Sequence, residues 1–184
     1  MEKLFEHILD DDEKIIKVFK PHKSKLFVSS MLLSAISFFF FAFFAVIAIL
    51  FPEDESATIN AIYVLIPIGI YILILGIIAI LIAVYYKNIY YAYSNKRIII
   101  RSGIFGVDYK SLDMSMIGAV NVSVSLLDKI LKKNTGSLSF GSTASPVVNS
   151  KTSAYNFTHI VAPYETCKEV KSYIDAYKKE MNKK

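Results

Sequence analysis

Two long apolar runs interrupt the chain, and every other predicted element is arranged around them. Residues 26–51 carry no charge, and Lys25 and Glu53 are the nearest charged residues on either side. As a helix this 26-residue stretch would span about 39 Å at ~1.5 Å per residue, more than the ~30 Å hydrocarbon core of a bilayer requires. Residues 57–86 are likewise uncharged and long enough to cross, and Pro67 and Gly69 mark a point where a membrane helix tolerates a kink. The pattern predicts two transmembrane helices. The first run is too long for the apolar part of a signal peptide, and it follows 25 polar and charged residues.

Past Lys87 the periodicity changes from continuous to two. Residues 90–106 read as strand, turn, strand, turn. Within them Ile98 and Ile100 face one side, Arg97, Ile99 and Arg101 face the other, and Gly103 and Gly106 bracket the second turn. A third strand covers 108–114. Residues 120–125 alternate, with Val120, Val122 and Val124 inward and Asn121, Ser123 and Ser125 outward. Residues 126–133 predict a short helix, its Leu126, Leu127, Ile130 and Leu131 on one face and its Asp128, Lys129, Lys132 and Lys133 on the other. Residues 136–143 return to strand with Leu138 and Phe140 inward, 144–154 form a polar loop, and 155–161 are the last strand. Residues 164–181 then make an amphipathic helix with Cys167, Val170, Tyr173, Ile174, Tyr177 and Met181 along its apolar side.

Ahead of the first run, residues 2–9 place Leu4, Phe5, Ile8 and Leu9 on one helical face, followed by an acidic stop at 10–13. Residues 14–20 are β-rich, and are either an extra strand or a juxtamembrane extension. The elements add up to an α+β chain: a two-helix transmembrane hairpin, then a small bent sheet or partial barrel with a short inserted helix and a C-terminal capping helix. The expected divisions are a cytoplasmic segment at 1–25, helices at 26–51 and 57–86, an extracytoplasmic acidic link at 52–56, and a cytoplasmic domain at 87–184.

Charge sets the orientation. Lys14, Lys17, Lys20, Lys23 and Lys25 precede the first helix, and Lys87, Lys96, Arg97 and Arg101 follow the second. The link has no basic residue, so the positive-inside rule puts both termini in the cytoplasm. From residue 87 onward, 15 basic against 7 acidic residues leave about +8 of formal charge. Such a domain is attracted to an anionic leaflet, although basic flanks also serve simply to fix topology. The single cysteine, Cys167, excludes an internal disulfide and fits a reducing compartment. The sequons at Asn121 and Asn156 fall on the cytoplasmic side, where they stay unmodified.

Candidate chemistry is sparse. His7, His22 and His159 are far apart, no metal-binding motif or phosphate loop is present, and Cys167 reads as a packed thiol. The sequence points away from an enzyme, a cofactor, a metal and a nucleic-acid partner. The apolar runs contain no ionisable acid or base, which argues against a self-contained transporter. Ser30, Ser34 and Ser37 make a small-residue face suited to helix packing. The sharpest candidate is a basic patch of Lys96, Arg97, Arg101, Lys129, Lys132 and Lys133, which, if it converges, can hold an anionic ligand or lipid headgroup. The competing reading is ordinary solvated surface charge.

Several segments in order carry a family resemblance: "KPHKSK", the two apolar runs, "YAYSNKRIIIRSGIFG", "IGAVNVSVSLLDKILKKNTGSLSF" and "YNFTHIVAPYETCKEVKSYI". Together they resemble the bacterial pleckstrin-homology-like family, also called membrane-flanked domain proteins, of bacteria and archaea. Tyr91, Ser94, Asn95 and Arg97 match the family's strand opening. Ile117, Ser125, Leu127, Asp128, Ile130 and Leu131 match its next strand and turn, and Gly136 matches the following strand. A second glycine common just before Gly136 is absent here, its place taken by residues 132–135. The resemblance implies a PH-like β-barrel capped by the C-terminal helix. It does not imply a ligand, since fold does not give function.

Two functions follow as expectations. One is a membrane-anchored interaction or scaffold module of the cytoplasmic membrane that recruits or assembles a membrane or cytoplasmic protein partner, including a second copy of itself. The alternative is a sensor of anionic lipid headgroups that uses the basic patch.

Overall fold

A computed structural model describes residues 4–50, 57–130, 134–142 and 155–183. The chain forms two compact units, Met1–Lys25 together with Tyr85–Lys184, and Leu26–Val84. The N-terminal segment thus belongs to the same body as the C-terminal domain, although both apolar runs lie between them in sequence.

Two helices follow from the apolar runs, α1 (Lys23–Leu50) and α2 (Ala57–Asn88). Each carries a stretch long and apolar enough to cross a membrane. Phe39, Phe43, Leu65, Leu73 and Ile80 stand bare on the outside, where a soluble helix would carry polar residues. Pro67 is accommodated inside α2 without ending it. Polar groups in α1 are satisfied locally, since the Ser29 and Ser34 hydroxyls donate to the carbonyls of Leu26 and Met31 at 3.0 and 2.6 Å. Ser34 is buried, and Tyr71 packs its ring against Phe38 and Phe41. The expected acidic link at 52–56 lies outside the described residues.

The other unit holds seven strands: β1 (Ile15–Phe19), β2 (Tyr90–Ser94), β3 (Arg97–Ser102), β4 (Asp108–Asp113), β5 (Ile117–Ser123), β6 (Thr135–Ser142) and β7 (Tyr155–Val161). They form two antiparallel sheets, β1-β2-β3-β4 and β5-β6-β7. Among the described residues no strand pairing joins the sheets, so the architecture is two packed sheets and the expected barrel is not closed. A single helical turn, Met114–Met116, takes the chain between them, and its N-terminus is capped by Asp113, whose carboxylate accepts from the Ser115 N–H.

Of the two readings of residues 14–20, the extra strand is the one observed. β1 pairs with β2 in the register Val18↔Ala92 and Phe19↔Tyr91. The amphipathic helix expected at 2–9 is reduced among the described residues to one turn, Glu6–Ile8. So short a segment cannot propagate a helix by itself; it is held by its apolar side chains. Phe5 is fully buried against Ala92 and Ile99, with Leu4, Ile8 and Leu9 around it. This cover explains why Ile98, Ile99 and Ile100 are all buried: alternation sends Ile99 outward, but the N-terminal turn closes over that face. The opposite face meets the main core, where the rings of Tyr91 and Phe140 each lie 4.8 Å from that of Phe157.

The capping helix α4 (Pro163–Met181) starts with proline, whose fixed φ suits the first turn. It buries Thr166, Val170 and Ile174, a stripe at intervals of four, while Met181, expected inward, is exposed. Gly136 admits α4 closely. A Cβ there would stand 2.9 Å from both Pro163 and the Ser123 carbonyl. The polar loop at 144–154 lies outside the described residues.

The short helix α3 (Leu126–Ile130) reverses the sequence expectation. Asp128 is the buried residue, and Leu126 and Ile130 are 73% and 65% exposed. Amphipathic spacing placed Leu126 and Ile130 inward with Leu127 and Leu131, but the aspartate is drawn in by hydrogen bonds and a cation, described below; the Leu127 side chain and Leu131 lie outside the described residues.

Candidate functional site

The β2–β3 turn gathers two of the six candidate cations and neutralises them. Ser94 Oγ accepts from the N–H groups of Lys96 and Arg97 at 3.1 and 3.0 Å, which fixes the turn. Arg97 then donates from Nε to both oxygens of Glu13, at 3.0 and 3.1 Å, and from Nη2 to Oε2 at 2.7 Å. Nη2 also reaches the Ile8 carbonyl at 2.8 Å. Burial alone would raise the Glu13 carboxyl, but the bonds from Arg97 and Ser94 outweigh it and hold it below the usual carboxylate range. Lys96 Nζ lies 2.6 Å from Asp12 and 3.6 Å from Asp10. Asn95 completes the junction: its Oδ1 accepts from the Lys14 N–H at 2.8 Å, and its Nδ2 donates to the Asp12 carbonyl at 3.1 Å. Asp10, Asp12 and Glu13, from the acidic stretch read from sequence as a helix stop, are the counterions of this turn.

The remaining candidates do not join them. Arg101 lies at the far end of β3, about 13 Å along at ~3.3 Å per residue. It donates from Nη1 to the Asn88 carbonyl at 3.0 Å and stacks 5.6 Å from the Tyr90 ring centre. Lys20 sits 4.5 Å from the ring centres of both Tyr86 and Tyr90. Lys129 is exposed on α3, and Lys132 and Lys133 lie outside the described residues.

A buried polar cluster, unread in the sequence, surrounds Asp128. Lys25 Nζ lies 2.9 Å from its Oδ1. Ser125 donates to Oδ2 from its backbone N–H at 2.9 Å and from its hydroxyl at 2.5 Å, and the Thr135 hydroxyl donates to Oδ1. Burial would raise this carboxyl, but the hydroxyl bonds and Lys25 together hold it at about 2. His22 and His159 complete the cluster, the His22 N–H donating to the His159 carbonyl at 2.7 Å. Burial, then the Lys25 charge, lowers the His159 imidazole, with Asp128 opposing.

A cavity of about 320 Å³ lies between β5 and α4. Gly118, Ala119 and Asn121 form one wall, and Lys171, Asp175 and Lys178 rim the other over a floor of Ile174. β5 ends its sheet, with β6 on one side and no described strand on the other. Gly118, which carries no side chain, and the methyl of Ala119 flank a break in the register between Ile117 and Ala119 and line the space. Lys178 Nζ donates to the Ile117 carbonyl and closes one end. Among the described residues no group of three His, Cys, Asp or Glu side chains is placed to hold a metal.

The family model of the bacterial PH domain matches residues 31–180, more than half of the chain. This chain belongs to the bacterial PH domain family. No curated protein and no solved structure matches it. The match begins inside α1, so in this bacterial PH domain protein most of α1 and all of α2 fall within the matched region. β1, Glu13 and the N-terminal turn precede it.

Proposed function

We propose that this bacterial PH domain protein is a non-catalytic interaction module anchored in the cytoplasmic membrane, with both termini in the cytoplasm. Its domain receives an extended segment of a protein partner along β5. The observation that carries this reading is the edge of β5, unpaired by any strand among the described residues, beside the β5–α4 cavity. Added strands draw affinity from main-chain hydrogen bonds and specificity from the pockets that alternate side chains enter. Two lysines against one aspartate on the rim favour an acidic segment with one apolar side chain over Ile174. The partner is a membrane or cytoplasmic protein, or a second copy of the chain.

Headgroup binding through Lys96, Arg97, Arg101, Lys129, Lys132 and Lys133 has weaker support. Glu13 already fills the guanidinium fork of Arg97, and Asp12 holds Lys96. The two readings separate in a crosslinking experiment on the full chain in its own membrane. A photo-reactive residue at Ala119 or Asn121 should give one discrete protein adduct, retained at high salt and lost from the Asn121 position when Ala119→Trp fills the cavity. Yields no greater than from Ser172, exposed on α4, would sink the strand-edge reading.

A further inference from the structure

Among the exposed apolar side chains of the domain are two groups that neither the β5 groove nor the polar turn explains. Phe105 is 97% exposed at the tip of the β3–β4 turn, with Ile104 and Val107 also exposed beside it. Leu126 and Ile130 form the second point, on the outer face of α3. A solvated tip would ordinarily carry polar residues.

Each point is tied to a residue next to an apolar helix. Asn88, the last residue of α2, donates from Nδ2 to the Gly103 carbonyl at 3.1 Å and accepts from Arg101 at its own carbonyl. Gly103 adopts φ 146°, and a Cβ there would fall 1.9 Å from the Gly106 carbonyl oxygen, so the turn has one compact form. On the other side, the Lys25–Asp128 pair fixes α3 to the residue directly before the uncharged run at Leu26. The flanking side chains suit headgroup depth: Lys20 between Tyr86 and Tyr90, Arg101 over Tyr90, and exposed Lys129.

We propose that Phe105 and the Leu126/Ile130 face insert into the interfacial layer of the bilayer that α1 and α2 span, as a two-point apolar contact with phospholipid. The proposal rests on the helices being inserted. Connectivity supplies the argument for lipid as the occupant, because both tethers end where the chain passes into an apolar run, and the neighbouring cations complement lipid phosphates. The contact holds the domain in one orientation and leaves the β5 edge as a separate surface.

The test uses the full chain carrying Cys167→Ser, reconstituted in vesicles of mixed phosphatidylcholine and phosphatidylglycerol. A nitrobenzoxadiazole probe is placed by Phe105→Cys, Leu126→Cys, Leu73→Cys or Ser172→Cys, and quenching by spin-labelled phospholipid is read. Phe105 and Leu126 are exposed, so substituting them removes little packing. The expected result is quenching at 105 and 126 several-fold above that at 172, strongest with the label near the headgroup, while 73 responds to the deep label. Quenching at 105 and 126 equal to that at 172, with 73 strongly quenched, overturns the contact and leaves these tips to a protein partner. No quenching at 73 means that α2 is not inserted, and the contact proposal falls with the spanning reading.

Discussion

Lys25 and Asp128 form an ion pair of 2.9 Å with side chains only 1% and 4% exposed, and they come from opposite sides of the two uncharged apolar runs in sequence. Such a pair is costly to desolvate and costlier to break singly. Here the remaining acceptor capacity of Asp128 is filled by Ser125 and Thr135, so neither charge is left uncompensated.

Removing one partner should therefore be severe. Lys25→Met or Asp128→Asn is expected to lower stability by about 3–5 kcal/mol, and the double variant by much less than the sum. Thermal unfolding of the full chain in detergent measures both.

Acid should destabilise the domain in two windows. His159 is held below its ordinary value, so the unfolded chain takes up a proton first and stability falls as pH drops below about 6.5. Glu13 and Asp128 are also held low, so a second loss begins near pH 4 and, for Asp128, runs down to about 2. A pH series of melting temperatures should show both. His159→Asn, which tolerates the positive φ at that residue, should remove the first.

The Glu13–Arg97 junction makes a prediction about geometry rather than charge. Arg97→Lys keeps the cation but loses the fork that meets both carboxylate oxygens. It should cost about 1–3 kcal/mol, most of the effect of Glu13→Gln, as read by chemical denaturation.

A fragment beginning at residue 87 should fold poorly, because it exposes the β2 edge together with Ala92 and Ile99. Amide exchange should be fast in its β2 and β3, and a synthetic peptide of residues 4–22 should slow it. Equal protection with and without the peptide would show that β1 is dispensable.

The sequence reading succeeded where a local pattern decides the outcome. The apolar runs, the Val and Ile alternation and the α4 stripe each declare an element within their own residues. It failed where a distant residue decides. The "LLDKILKK" segment has the spacing of a helix with its apolar residues inward, yet Leu126 and Ile130 are exposed and Lys25, Ser125 and Thr135 draw Asp128 in. Lys96 and Arg97 likewise read as free cations because their acids lie beyond both apolar runs. The β5–α4 cavity had no signal except the small residues Gly118 and Ala119.

The β1–β2 ladder also bears on how the protein is made. A ribosome delivers β1 before either apolar helix and β2 only after both, so the first sheet stays unfinished while the two helices are being made and, on the proposed spanning reading, inserted. On that reading the two strands can meet only if the chain crosses the bilayer an even number of times. A nascent chain whose second helix failed to return would strand Glu13 and Phe5 away from Arg97 and Ile99, leaving an unfolded tail for proteases. On the proposed spanning reading, completion of the sheet would act as a parity check on membrane insertion.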